Sequence, residues 1–343
     1  MRATAAGAAG EEQSMRAFEV SGGPGAPVVP VERPVPVPAA GQLLVRVKAA
    51  ALNARDRLIV SGTYSAPVPP GRVPVSDGAG VVAAVGDGVS RFRAGDRVMS
   101  SFHPDWLYGP FPGWGELYGV QRDGWLTEYI AVDEQSVVGV PDHLSYEEAA
   151  TLPCAALTAW SAVSGIGPGD TLLVQGSGGV SVFALQFARL AGARVLATTS
   201  SAEKAERLKA LGASDVVDYA RTPEWGARVR ALAGGRGVDL VVEIGGAGTI
   251  AQSVDALADG GRISLVGNLA SGGGMDLTRF FRRGAALRTV VVGSRSDFER
   301  MNRVIGQHRL RPVIDRVFPF AAAPEAFSYF ERAAGLGKVV IGL

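Results

Sequence analysis

A glycine-rich segment between an apolar run and an amphipathic stretch is the first feature of the sequence that points to a ligand. In TLLVQGSGGVSVFALQFARLAG, apolar TLLVQ precedes three glycines, and residues with helical apolar spacing follow them. Glycines between a buried strand and a helix let backbone N–H groups approach a pyrophosphate, whose charge also favours a helix N-terminus. The spacing is G-x-G-G-x-S, so Ser181 stands where the usual dinucleotide fingerprint has its third glycine. The predicted contacts come from one loop: Gly176, Ser177, Gly178, Gly179 and Val180.

The end of the next predicted strand indicates which nucleotide binds. Sites that prefer NAD place an Asp or Glu about 20 residues after the fingerprint, but ATTSSAEKAERLK has no acidic residue before Glu203. Ser200 and Ser201 offer hydroxyl groups and Lys204 offers positive charge, a set that favours a 2′-phosphate. The alternative is that one serine only caps the following helix and Lys204 is solvated, and both roles can hold together. We predict NADP(H) as the cofactor.

The residues that bind metals or attack substrates are few and dispersed. Cys154 is the single cysteine, so an internal disulfide and a metal site built from cysteines alone are excluded. His103, His143 and His308 have no partner at metal-ligand spacing, and we expect all three at the surface, although His103 lies in an aromatic loop. In TLPCAALTAW, Cys154 is open to three interpretations: metal ligand, nucleophile or packing residue.

Alternating strands and helices must position the glycine-rich loop. After Pro141, short apolar runs such as DTLLVQG and VDLVVEIGG alternate with helical patterns such as AEKAERLKALG and TIAQSVDALADGG. This alternation predicts an α/β fold with a doubly wound parallel sheet. The residues before Pro141 are β-rich and punctuated by Pro and Gly, as in LLVRVKAAAL and AGVVAAVG. The tail from about Gln307 has a strand–helix–strand pattern that fits either domain.

Length and charge narrow the function classes. The chain has 343 residues, enough for two domains, and a net charge of +1, which gives no reason to expect nucleic acid or an anionic membrane as a partner. No apolar run reaches the roughly 20 residues that span a bilayer, and the N-terminus lacks the apolar core of a signal peptide. We expect residues 1–14 to be a disordered leader, order to begin at Met15, and the protein to be cytoplasmic.

From Met15 to Leu343 the chain resembles the medium-chain dehydrogenase/reductase superfamily. The resemblance rests on ALNARD, SGTY, SDGAGVVAAVG, FRAGDRV, DGWLTEYIAV, LPCAALTAWSAV and GKVVI. It implies a GroES-like β-barrel catalytic domain of residues 15–140 and 307–343, and a Rossmann nucleotide-binding domain of residues 141–306. It also implies a homodimer formed through the Rossmann sheet.

Zinc alcohol dehydrogenases of this superfamily hold a catalytic metal at three positions, which match Asn53, Ser76 of VSDGAG, and Cys154. A catalytic zinc needs about three protein ligands, mostly nitrogen or sulfur, and this set does not supply them. The aromatic segment SFHPDWLYGPFPGWGELYG replaces the Cys-rich lobe that carries the family's structural zinc. This segment either lines an apolar pocket or packs on itself. We expect no zinc of either kind, and Cys154 is then a small unreactive residue at the start of a helix.

The remaining features resemble the zinc-free quinone oxidoreductase, or zeta-crystallin-like, branch, in which N-x-x-D and SGTY recur. This resemblance implies that Asn53 and Tyr64 lie near the nicotinamide and substrate, while Asp56 is a third catalytic candidate that suits a helix cap better. Asn53 bonding its own loop and Tyr64 packing with its hydroxyl in water are the alternatives. Further cofactor contacts are implied for residues in four separate segments: Thr158, Tyr219, Asn268 and Lys338.

The predicted reaction is zinc-independent hydride transfer from NADPH to a small-molecule acceptor, either a quinone or an α,β-unsaturated carbonyl compound. The cofactor carries the chemistry, so the protein must position the acceptor and stabilise the charge that grows on its oxygen. The Asn53 amide and Tyr64 hydroxyl are the candidate donors. Two alternatives stay open: an NADP(H)-dependent alcohol dehydrogenase or ketone reductase, and a nucleotide-binding module with little turnover.

Overall fold

The computed structural model describes residues 13–20, 28–270, 272–332 and 335–343. Most of the predicted leader, residues 1–12, lies outside the described residues. The N-terminal part contains these elements in chain order: β1 (Ser14–Val20), β2 (Val28–Pro34), β3 (Gln42–Ala51), α1 (Ala54–Val60), β4 (Asp77–Val85), β5 (Arg97–Ser100), β6 (Tyr129–Asp133), β7 (Val137–Gly139) and α2 (Tyr146–Ala150).

Strands and helices alternate through the rest of the chain, and a further strand–helix–strand unit closes it. The elements are α3 (Leu157–Ala162), β8 (Thr171–Gln175), α4 (Gly179–Leu190), β9 (Arg194–Thr199), α5 (Ala202–Ala210), β10 (Asp215–Asp218), α6 (Trp225–Leu232), β11 (Val238–Glu243), α7 (Ile250–Ala256), β12 (Leu257–Leu265), α8 (Leu277–Arg282), β13 (Ala286–Thr289), α9 (Arg295–His308), β14 (Ile314–Pro319), α10 (Ala323–Glu331) and β15 (Lys338–Gly342).

The first sheet joins the N-terminal strands to the end of the chain. Its order is β14-β15-β3-β4-β5-β7, and β6 also pairs with β3. β15 runs antiparallel to β3, with Val340 opposite Ala51. Because β3 leads directly into α1, this pairing brings the start of β15 beside the first turn of α1.

The second sheet is parallel and has the order β10-β9-β8-β11-β12-β13. The α/β class and the doubly wound parallel sheet predicted from the sequence are therefore confirmed. β8 and β11 are neighbours although β9 and β10 lie between them in the chain, so the winding direction reverses between β8 and β11. Ligands of such sheets bind outside the carboxyl ends of the strands at this switch point.

Both faces of the parallel sheet are covered, as its apolar strands require. Leu172 and Val174 of β8 pack in one core with Phe183 of α4, and Leu173 packs in another with Val254 of α7. The rigid strand β8 thus delivers the glycine-rich loop at its carboxyl end.

Two element boundaries differ from the sequence-based predictions. The helix predicted over TIAQSVDALADGG ends at Ala256, because the next residue, Leu257, is fully buried and pairs with Val238 of β11. The helix α9 continues to His308, so the predicted division between residues 306 and 307 falls inside it. Among the described residues, no helix is both long and apolar enough to cross a membrane.

Candidate active site

The first turn of α1 positions Asn53 and Asp56. Asn53 is the N-cap, with an extended backbone, and its N–H donates a 2.7 Å hydrogen bond to Asp56 Oδ2. Asp56 is fully buried, and burial raises the pKa of its carboxyl to about 6 against the opposing positive charge of Arg55. The structure therefore places Asp56 as a cap of α1.

Lys338 reaches Asn53 from the first residue of β15. Its buried ammonium donates hydrogen bonds of 2.6 Å to Asn53 Oδ1 and 2.6 Å to the Leu52 carbonyl. Asn53 Nδ2 makes no hydrogen bond of standard distance and angle among the described residues, but the Asn53 side chain interacts with Asp77 and opposes the rise in the pKa of that carboxyl. Since Lys338 fixes the oxygen end of the amide, its N–H end is the part that can donate to a substrate. The implied contact of Lys338 with cofactor phosphate stays a prediction.

The three positions that match the zinc ligands of related alcohol dehydrogenases meet around Asp77, with whose carboxyl the Asn53 side chain interacts. Ser76 Oγ donates to Asp77 Oδ1 at 2.8 Å, and the backbone N–H of Cys154 donates to Asp77 Oδ2 at 3.0 Å. Burial raises the pKa of Asp77, while the positive charge of Lys338 opposes the rise. Burial, with the negative charge of Asp77, also holds the pKa of the Cys154 thiol above its usual range.

This donor set does not fit zinc. Of the three positions, only Cys154 offers a side chain of the type that zinc usually binds. The Asn53 oxygen is already bonded to an ammonium, which would repel a second cation. In the described part of the chain, no group of three or more His, Cys, Asp and Glu side chains could hold a metal ion.

The glycine-rich loop has the shape that a pyrophosphate requires. Gly176 directly follows β8 with φ +69°, a left-handed conformation that favours glycine, and Gly178 is the N-cap of α4. A Cβ atom added to Gly178 would meet no atom within 4 Å, so open space faces the loop there. Ser181, at the position of the fingerprint's third glycine, donates a 2.5 Å hydrogen bond from Oγ to the Gln175 carbonyl. The loop fits a dinucleotide.

The same loop is joined to the C-terminal segment. The Gly337 N–H donates a 2.9 Å hydrogen bond to the Ser177 carbonyl, and Gly178 and Gly337 form a parallel bridge. A Cβ atom on Gly179 would lie 2.7 Å from Lys338 Cδ. Lys338 therefore touches both the nucleotide loop and Asn53, which brings two predicted sites into one.

A buried carboxylate that the sequence reasoning missed organises the switch point. Glu243 ends β11, and its Oε2 accepts a 2.8 Å hydrogen bond from Gln175 Nε2 of the neighbouring β8. Its Oε1 accepts from the N–H groups of Gly245 and Gly246 at 2.8 and 2.9 Å. Glu243 thereby fixes the loop after β11. The sequence does carry a signal for this residue: an acidic residue ends the apolar run VDLVVE, and IGG follows it.

The remaining predicted cofactor residues follow the carboxyl ends of other parallel strands. Ser201 caps α5, accepting from the Lys204 N–H at 3.4 Å, and the neighbouring Ser200 is exposed. Tyr219 follows β10, and its side chain is exposed. Asn268 follows β12, with its Oδ1 accepting a 3.0 Å hydrogen bond from the Ala247 N–H. Parallel strands present these residues along one edge of the sheet. Thr158 is buried in α3, and Val180 is half-buried at the start of α4.

Arg55 is a second site residue that the sequence reasoning missed. It follows Asn53 by two residues, is only 9% exposed, and packs its guanidinium on two aromatic rings. Its Cζ lies 5.3 Å from the ring centre of Tyr64 and 4.9 Å from that of Phe102. Tyr64, a predicted catalytic residue, thus lies beside a buried cation.

The aromatic loop encloses His103, so the expected surface position of this histidine is wrong. His103 is 4% exposed, and burial together with the positive charge of Arg55 lowers its pKa to about 4. The rings of Trp106, Phe111 and Trp114 lie with their centres 5.6, 5.5 and 5.9 Å from the imidazole. Contacts with the aromatic side chains of the loop bury His103.

The loop both packs on itself and lines a cavity. The Arg295 N–H, at the start of α9, donates to the Trp106 carbonyl at 2.9 Å and holds the loop in place. Trp106 and Phe111 also face a cavity of about 550 Å³ beside Trp160 of α3. None of the predicted site residues lines this cavity.

Comparison with known proteins agrees with this architecture. Residues 39–142 match the family described as alcohol dehydrogenase GroES-like domain, and residues 179–307 match the family described as zinc-binding dehydrogenase. A zinc-type alcohol dehydrogenase-like protein of Schizosaccharomyces pombe is 42% identical, over 88% of this chain and 90% of its own. An NADPH-dependent alkenal/one oxidoreductase of Arabidopsis thaliana is 30% identical, over 96% of this chain and 80% of its own.

A solved structure of a putative alcohol dehydrogenase from Sinorhizobium meliloti 1021 has a TM-score of 0.92 at 37% identity, covering 97% of this chain and all of its own. The chain belongs to the medium-chain dehydrogenase/reductase superfamily. Within it, relatives named as quinone oxidoreductase and as enone reductases identify the zeta-crystallin-like branch. The resemblance inferred from the sequence is confirmed, and the protein is an oxidoreductase of this type.

Proposed function

We propose that the protein is an NADPH-dependent reductase of quinones or α,β-unsaturated carbonyl compounds that works without zinc. The observation that carries the proposal is the hydrogen bond between Lys338 and Asn53 beside the nucleotide loop. At the position where related alcohol dehydrogenases bind a metal, this chain has a buried cation and an oriented amide of its own.

The cofactor assignment rests on the loop and on the residues after β9. The open space at Gly178 suits a pyrophosphate, and no carboxylate stands between Gly176 and Glu203 to hold a ribose or repel a 2′-phosphate. Ser200, Ser201 and Lys204 supply hydroxyl groups and positive charge. The name of the Arabidopsis relative, which includes NADPH, supports the same choice.

The bound cofactor supplies a hydride, which adds two electrons and one hydrogen to the acceptor. In an enone, the hydrogen bonds to the β-carbon, the carbon–carbon double bond becomes single, and the displaced electron pair resides on the carbonyl oxygen until water protonates the α-carbon. The Asn53 Nδ2 donor is placed to stabilise this oxygen because Lys338 holds the other end of the amide. The Tyr64 hydroxyl is the second donor.

A second candidate, an NADP(H)-dependent alcohol dehydrogenase, is favoured by the names of the Schizosaccharomyces and Sinorhizobium proteins. Assays of NADPH oxidation with a quinone, a cyclic enone and a saturated ketone, and of NADP⁺ reduction with secondary alcohols, separate the two. We expect turnover of the first two acceptors, unchanged by a chelator and without stoichiometric zinc in the active protein. Turnover restricted to alcohols and ketones, or lost on chelation, would contradict the proposal.

Cofactor preference is tested by binding. NADPH should bind at least about 10-fold more tightly than NADH, a difference of about 1.4 kcal/mol. Lys204→Ala should weaken NADPH binding and leave NADH binding unchanged, whereas Lys209→Ala, on the exposed side of the same helix, should change neither. An equal loss of affinity for NADPH and NADH would show that Lys204 does not contact the 2′-phosphate.

The proposed homodimer uses the edge of the parallel sheet. β13 is its last strand, and all of its residues, Ala286–Thr289, are exposed. An exposed strand edge is a template for pairing with a second copy. We expect a dimer in solution by light scattering, and Leu287→Glu should shift it toward monomer.

A further inference from the structure

The following inference rests on the proposed function and concerns Arg55, the buried cation of α1. We propose that the guanidinium of Arg55 binds the acceptor's carbonyl oxygen and stabilises the negative charge that the oxygen gains on reduction. Arg55 is then a catalytic residue of the reductase, in addition to Asn53.

The guanidinium of Arg55 has N–H donors that are free to bind a ligand. Within the described ranges its one hydrogen bond runs from Nη1 to the Tyr118 carbonyl at 3.2 Å, while Nε and Nη2 have no partner. Arg55 is in none of the ion pairs among the described residues, although its charge acts on the adjacent Asp56, whose carboxylate accepts a hydrogen bond from the Asn53 N–H. Buried polar groups are normally bonded, so unpartnered donors on a buried guanidinium indicate a ligand.

The guanidinium is also held in one place. It packs on the faces of Tyr64 and Phe102, and these rings exclude water without competing for its donors. Its charge acts on both His103 of the aromatic loop and Cys154 beside Asp77. Arg55 also packs on Phe102, which precedes His103, and it follows Asn53 by two residues in the first turn of α1, so the proposal places the acceptor beside these residues.

A buried arginine suits a reaction in which negative charge develops on the oxygen of the acceptor. Arginine presents several N–H donors in a rigid fork, remains charged at any working pH, and interacts strongly in a site shielded from water. The enolate oxygen that forms when a hydride adds to the β-carbon keeps its charge until water protonates the α-carbon. Arg55 bonds that oxygen more strongly than the neutral carbonyl, and only such a difference accelerates the reaction.

The decisive comparison is Arg55→Met against Arg57→Met. Methionine keeps most of the apolar stem of the side chain and removes its charge, and Arg57 is a half-buried cation on the same helix. With a neutral cyclic enone, Arg55→Met should lower kcat/KM at least about 100-fold, Arg55→Lys should recover part of the loss, and Arg57→Met should change it less than about 3-fold. NADPH affinity and melting temperature should stay close to wild type in all three.

A readout without turnover uses 4-nitrophenol, whose phenolate resembles an enolate and whose ionisation is visible in its absorbance. In the presence of NADP⁺, wild type and Arg57→Met should bind the phenolate in preference to the phenol, lowering the apparent pKa of the bound ligand. Arg55→Met should lose this preference. Equal binding of both forms by wild type and Arg55→Met would overturn the inference.

The outcomes distinguish this inference from the proposed function. If wild type reduces no quinone or enone, the proposed function fails; if it reduces them and Arg55→Met does so equally well, only the role of Arg55 fails. A loss confined to acceptors that carry a carboxylate would show that Arg55 binds that group, which also overturns the inference. Should Arg55→Met not fold, the titration of wild type still decides, because equal binding of phenol and phenolate by wild type would overturn the inference.

Discussion

Lys338 Nζ lies 2.6 Å from Asn53 Oδ1, and the two residues are 285 positions apart in the chain. Lys338 belongs to the last strand, while Asn53 caps the first helix of the β-rich part. The pairing of β15 with β3 creates this contact, and Gly179 of the nucleotide loop packs on the same lysine side chain. One buried ammonium therefore connects the predicted cofactor loop with the proposed substrate site.

We predict that Lys338→Met impairs both stability and catalysis. The ammonium offsets the buried negative charge of Asp77, so its removal should lower the free energy of unfolding by about 3 kcal/mol or more. The Asn53 amide would lose its fixed orientation, and kcat should fall about 100-fold even at temperatures where the variant is folded. Chemical denaturation and steady-state kinetics measure the two effects.

Lys209→Met is the matched control for Lys338→Met. Lys209 is exposed and pairs only with Glu206 of the same helix, at 2.9 Å. An exposed pair of this kind contributes about 1 kcal/mol or less, so stability and kcat should stay near wild type. A folded Lys338→Met with unchanged kcat would show that Asn53 does not depend on Lys338.

Gly178→Ala is predicted to weaken cofactor binding, and Gly179→Ala is predicted to lower stability. A methyl group at Gly178 meets no protein atom within 4 Å and its backbone suits alanine, so stability should be unchanged while NADPH binds at least about 10-fold more weakly. A methyl group at Gly179 would lie 2.7 Å from Lys338 Cδ and 3.2 Å from Ala155 Cβ. Gly179→Ala should therefore lower the free energy of unfolding by about 1–3 kcal/mol.

Isothermal titration with NADPH, together with denaturation of the free protein, checks both glycine variants. If Gly178→Ala binds NADPH like wild type, the pyrophosphate does not approach Gly178. That result would place the phosphates elsewhere along the loop and weaken the assignment of the whole segment.

The parts of the site that the sequence predicts are those encoded locally. The parallel sheet follows from alternating apolar patterns, and the nucleotide loop from glycines between a strand and a helix. The contact between Lys338 and Asn53 depends on strand pairing across nearly the whole chain, so no local pattern indicates it. The role of Arg55 and the burial of His103 were not predicted for another reason: charged and polar residues are usually exposed, and only the three-dimensional packing of aromatic rings buries these two.

We predict that Asp56→Asn raises stability at neutral pH. Since the pKa of Asp56 rises from 3.8 to about 6 on folding, the folded state binds its proton more tightly, and wild-type stability falls as pH rises through that interval. Asparagine removes this loss, about 3 kcal/mol at most, and keeps an oxygen for the Asn53 N–H. Urea denaturation at several pH values measures it. Because Asp56 serves as a cap, kcat should change little, and a large loss of kcat in a stable variant would assign it an acid–base role instead.

His103→Phe is predicted to have the opposite pH signature. The pKa of His103 falls from 6.5 to about 4 on folding, so its contribution to stability is complete above about pH 6.5 and is lost as pH falls toward 4. Phenylalanine removes this loss and suits the surrounding rings of Trp106, Phe111 and Trp114. At about pH 4 the variant should exceed wild type by about 3 kcal/mol relative to their difference at neutral pH.

The two titrations oppose each other, which makes the pair of variants a sharper test than either alone. From about pH 4 to about pH 6, Asp56 makes wild-type stability fall with rising pH and His103 makes it rise, so these contributions largely cancel. Asp56→Asn should expose the positive slope of His103, and His103→Phe should expose the negative slope of Asp56. If His103→Phe leaves the slope of wild type unaltered, the imidazole titrates normally in the folded protein and the aromatic loop does not bury it.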